Sequence, residues 1–159
     1  MVDRFSLFED VVRKAHQFTE ARTVTAGGVH PFDQRDVHPK LPPVVKQLFD
    51  DGHFAQSTFE AYKFVDKEIQ RISRLSESGF KVMMQAFAVE NPLIRLNSLE
   101  TVSEKDEQKG FQFLFAGSVL AIRNPRGHEH SVFDSPDQCL DHLSLASLLL
   151  RRLDDARAA

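Results

Sequence analysis

The chain has 159 residues, 42% of them apolar and 27% charged, with a net charge of −3. That suits one soluble domain with a real core, and the slight acidity excludes a general polyanion binder, so any nucleic-acid contact must come from a local basic patch. Cys139 is the single cysteine, which excludes an internal disulfide and fits a reducing cytoplasm; no signal peptide is expected at Met1-Val2-Asp3-Arg4, and no apolar run reaches membrane-spanning length.

Taken in order, Phe5, Phe8, Val12 and Ala15 recur at helical spacing, which predicts a first helix over about Phe5 to Ala21. Arg22 to Val37 holds Gly27-Gly28 and Pro31 and reads as a linker or long loop. This divides the chain into an N-terminal helix and linker, 1–37, and a helical domain, 38–159. Pro42-Pro43 opens a short helix that buries Val44, Val45, Leu48 and Phe49 and ends near Gly52. Phe54 to Leu75 is the clearest long helix, with Phe54, Thr58, Tyr62, Val65, Ile69 and Ile72 on one stripe. Its other face carries Glu60, Lys63 and Lys67.

A shorter helix follows over Phe80 to Val89, stopped by Asn91-Pro92, and Pro92 to Leu99 reads as irregular. Ser103 with Asp106 resembles a capping box for the next helix, whose expected buried side is Phe111, Leu114, Phe115, Val119 and Ile122. Ser135-Pro136-Asp137-Gln138 is a strong start signal for a last helix to about Asp154. Leu143, Leu145, Ala146, Leu148, Leu149 and Leu150 leave that helix little polar face, so either a second subunit or the rest of the chain has to cover it. Strand signals are almost absent, and the expected class is all-α, most simply an up-and-down four-helix bundle with additional N-terminal helices.

Between the last two helices lies Arg123-Asn124-Pro125-Arg126-Gly127-His128-Glu129-His130. Pro125 is expected to end the preceding helix, because it lacks an N–H, and Gly127 to permit a turn. A solvated turn does not need two arginines, an amide and two histidines. A phosphate site uses them all: guanidinium grips phosphate bidentately, and imidazole exchanges protons near neutral pH. His128-Glu129-His130 lacks the spacing of a structural zinc site, and neither metal nor cofactor is expected.

Arg123-Asn124 followed by His128 resembles the Arg-x(4–6)-His signature of the HEPN superfamily (higher eukaryotes and prokaryotes nucleotide-binding domains), and Arg123 is the only arginine that satisfies it. Longer pieces are similar to the bacterial Ymh family within or close to that group. They are His38-Pro39, Leu48-Phe49 with Gly52-His53-Phe54, Ala86-Phe87 with Glu90-Asn91-Pro92, Asp106 to Phe111, and Leu114-Phe115-Ala116-Gly117 leading into Arg123. The similarity covers about residues 38 to 154.

The resemblance implies a HEPN-like bundle and a metal-independent endoribonuclease that cleaves RNA through its own 2′-OH. It implies Arg123 as the group that holds the phosphate and His128 as general base or acid. Asn124 would orient His128 or a phosphate oxygen. His130 also fits the permitted spacing. Arg126, Glu129, His130 and Lys63 are candidates for contacts to RNA. It further implies a homodimer with a composite site, a role as toxin or antiphage effector, and an antitoxin or defence-system partner. Two other classes stay open: a non-catalytic module that binds RNA, nucleotide or protein, and a structural dimerisation domain.

Overall fold

The computed structural model describes residues 28–129 and 132–158, and every regular element among them is helical. The expected first helix, Phe5 to Ala21, lies outside the described residues, as does the start of the linker. The rest of that linker is not a free spacer. It forms a helical turn, α1 (Pro31–Gln34), capped by the His30 ring, which accepts from the Phe32 N–H at 3.1 Å. Phe32 is buried in the core, and Arg35 and Asp36 pair with Asp141 and Arg151 of the last helix.

Helix α2 (Pro43–Asp50) starts on proline and buries Val45 and Phe49, while Val44 is exposed. Gly52 then turns the chain at φ +79°, a conformation that a side chain rarely adopts. Helix α3 (Phe54–Ser73) follows and buries the predicted stripe from Thr58 through Tyr62 and Val65 to Ile69. It ends on Arg74 in the left-handed region, whose N–H still reaches the Gln70 carbonyl. Helix α4 (Phe80–Ala86) is shorter than expected.

Residues between α4 and the next helix are irregular, as their composition predicts, and the Gln108 side chain bonds three of their backbone groups. Gln108 is fully buried; its amide donates to the Phe87 and Ile94 carbonyls at 3.1 and 2.9 Å and accepts from the Leu96 N–H at 2.9 Å. A buried amide with its partners supplied is tolerated where a bare one is costly.

This corrects the expected face of helix α5 (Val102–Ser118). Gln108, Gln112, Phe115, Ala116 and Ser118 are its buried residues, and Leu114 is 45% exposed. The cap also differs: Thr101 and Glu104 form the reciprocal box two residues before the expected pair, because the Glu104 carboxylate also reaches Glu100 N–H and Ser98 Oγ.

The largest correction concerns Pro125. The chain does not break there. Helix α5 widens into a π-helical turn over Val119–Arg123, with the Asn124 N–H bonded to the Val119 carbonyl five residues back, and then continues as α6 (Asn124–His128). A π turn offsets the ladder by one residue, so proline's missing N–H removes no α-helical bond that the turn required. The Arg126 guanidinium donates to the Ile122 carbonyl at 2.7 Å.

Helix α7 (Pro136–Ala158) starts as predicted, with Ser135 and Gln138 bonding each other's backbone N–H. Its apolar surface is covered by the chain itself: Leu140, Leu143, Ala146, Leu149, Leu150 and Leu153 are buried, against α3 and the segment after α1. Leu148 alone of its leucines is strongly exposed. No described helix is long and apolar enough to cross a membrane.

Candidate functional site

Arg123 closes the π turn and lies against α3. Its guanidinium carbon is 5.7 Å from the centre of the Phe59 ring, and Nη1 donates to Asn124 Oδ1 at 3.1 Å. Nε is buried without a hydrogen-bond partner. Lys63, one turn beyond Phe59 on α3, places its ammonium 5.9 Å from the same ring and pairs with Glu60 at 2.9 Å. Two cations therefore share one aromatic ring. Gly127 faces that ring as well: a Cβ at this position would stand 2.9 Å from Phe59 Cε2.

His128 ends α6 and is exposed, as is Glu129; His130 lies outside the described residues. No hydrogen bond among the described residues joins His128 to Arg123. On a helix, residues five apart are turned by roughly 140° from each other. Asn124 is bonded to Arg123 and, among the described residues, not to His128.

Arg126 is engaged elsewhere. It forms a two-point pair with Asp134, Nε to Oδ2 at 2.7 Å and Nη2 to Oδ1, with side-chain exposures of 8% and 3%. Nη2 also lies 3.3 Å from His142 Nδ1, and the Tyr62 hydroxyl donates to the His142 carbonyl at 2.9 Å. Burial works against ionising Asp134, but the hydrogen bond and charge of Arg126 outweigh it and hold the carboxyl below its usual range. Thr58 Oγ1 contributes to this from nearby without completing a bond of good geometry. Burial, then the charge of Arg126, holds His142 below its ordinary value; burial also pushes up the Tyr62 phenol and the Cys139 thiol. This cluster is charge-balanced and closed, so Arg126 serves the fold.

Sequence reasoning missed Phe59, Asp134 and His142. Phe59 did carry a signal: it falls off the apolar stripe of α3, among charged residues, where a ring needs another reason. Asp134 carried none, being one carboxylate in a loop.

Residues 35–153 match the family described as "Protein of unknown function (Hypoth_ymh)", and the chain belongs to that family. The search of curated proteins gave no match. Neither did the search of solved structures.

Proposed function

We propose that this protein is a metal-independent endoribonuclease of the HEPN type, built on a HEPN-like four-helix bundle and working as a homodimer with a composite site. The observation that carries this reading is Arg123, held at its guanidinium yet paired with no carboxylate among the described residues, with an exposed imidazole five residues on. A cation so placed retains its full charge for a phosphate.

The chemistry needs little more than this. A base removes the proton of the 2′-OH, the oxygen attacks the adjacent phosphorus, and the 5′-oxygen leaves with a proton from an acid. The products are a 2′,3′-cyclic phosphate and a 5′-hydroxyl. Arg123 stabilises the charge that builds on the phosphorane, and His128 transfers protons. One histidine turned away from Arg123 does not serve both ends of the bond, and a second copy supplies what is absent.

The exposed face of α5 supports that arrangement. Gly110, Phe113, Leu114, Gly117, Leu120 and Ala121 form a stripe that is exposed among the described residues and that runs into Asn124. Nothing lies within 4 Å of a Cβ built at Gly110 or Gly117. Two helix-interior glycines that no neighbour requires are what a closely approaching second helix would need. A two-fold axis near Leu120 brings the two Asn124 ends together. Toxin or antiphage action in the cytoplasm, with an antitoxin or defence partner, is the setting the resemblance suggests.

Incubating the purified protein with total RNA and EDTA, then sequencing cyclic-phosphate ends, tests the reading. Cleavage that is lost in H128A and R123A, and absent on DNA, is the expected outcome. No cleavage by the dimeric wild type ends the reading. Leu120→Glu should give a monomer by sedimentation and abolish cleavage. The offset of roughly 140° between the two side chains favours the second reading, a non-catalytic RNA-binding module, if RNA is bound but stays intact.

A further inference from the structure

Three contacts converge on Phe59, and none of them serves the core. The ring is half-buried on the flank of α3, beside the stripe that packs inward. Arg123 lies over it at 5.7 Å, Lys63 at 5.9 Å, and Gly127 abuts its edge. Gly127 has no positive φ, so its backbone does not require glycine; the ring does, since a Cβ would fall 2.9 Å from Cε2 and 3.7 Å from Cδ2 and Cζ.

We infer that Phe59 is the positioning residue of the Arg123–His128 segment, fixing where the guanidinium stands and how closely the last turn of α6 approaches α3. The inference rests on the ribonuclease reading for its catalytic consequence, but not for its geometry. Arg126 and Arg123 show why a ring suits the task. A carboxylate holds Arg126 and cancels its charge. An aromatic face holds a guanidinium through its quadrupole and leaves the charge uncancelled. Among the described residues the Arg123 side chain has one hydrogen bond, to the neutral Asn124, and a buried Nε without a partner, so the ring is its principal fixture. His128 follows Gly127 directly, so the contact between glycine and ring also sets the turn that carries the imidazole.

The test uses F59L, which keeps apolar bulk and removes the ring, F59Y, which keeps the ring, and G127A, which forces the ring aside. With defined RNA as substrate, F59L and G127A should lower kcat by about 10- to 100-fold with KM within about twofold, as misplacement of a catalytic group does. F59Y should stay within about threefold of wild type, because its ring face is retained. The Nε–H proton resonance of Arg123 reads the geometry without any activity. It should be shifted upfield by the ring in wild type and F59Y, and should lose that shift in F59L and G127A. F59L with wild-type kcat, or an Arg123 resonance unmoved by F59L, overturns the inference. If the wild type cleaves no RNA, the ribonuclease reading falls by itself, and the resonance still decides whether Phe59 positions Arg123.

Discussion

Two arginines three residues apart are put to different uses. Arg126 is closed into a pair with Asp134, and breaking such a pair leaves a buried charge uncompensated. Asp134→Ala should therefore cost about 3–5 kcal/mol in denaturant unfolding. A loss under about 1 kcal/mol would mean that the pair is open to water. Gly127 shows the same dependence on surroundings. Alanine there gains roughly 1 kcal/mol of helix propensity but overpacks against Phe59, at a cost of about 1–3 kcal/mol. The expected net change is destabilising, against the propensity.

At the scale of the element, α5 poses the converse case. Gly110 and Gly117 stand in a regular helix with open space where a Cβ would go. Gly110→Ala and Gly117→Ala should each raise the stability of the single chain by about 0.5–1 kcal/mol, measured by denaturant unfolding at a concentration that keeps it monomeric. If a second copy packs on this face, Gly117→Ala should also weaken self-association by sedimentation. An alanine that stabilises the chain and leaves association unchanged would remove the α5 face from the proposed interface. At the other end of α5, Thr101→Ala should cost about 1 kcal/mol by opening the capping box.

Across the whole molecule, the shifted groups make stability fall in acid. His38 and His142 are held below 6.5, His38 by burial and by Arg151 and Lys40 against Asp154, His142 by burial and Arg126 against Asp134 and Asp141. The unfolded chain therefore binds more protons as pH drops through 6.5, and stability declines from there. Asp134, Asp154 and Glu68 are held low by their cationic partners, and Glu104, bonded by Thr101 and Ser98, is brought down to about 2. Their stabilisation is present above the ordinary carboxylate range and is lost as pH falls through the lower folded values. Thermal unfolding should show a melting temperature flat between about pH 7 and 8, a first decline below 6.5 and a steeper one below about 4.5. His142→Gln should remove part of the first decline and leave the second.

The sequence by itself determined the helical class, the stripe of α3 and the start of α7 at Ser135, because these depend on periodicity and on caps spanning a few residues. Only the tertiary structure decided which face of α5 is buried, since Gln108 and Gln112 enter the core through carbonyls supplied by a segment distant in sequence. The same holds for Pro125, which a π turn accommodates within the helix, and for the two arginines, identical in sequence terms. Asp134 and Phe59 reach them from other elements, one cancelling a charge and the other holding it free, and such partners exist only once the chain has folded.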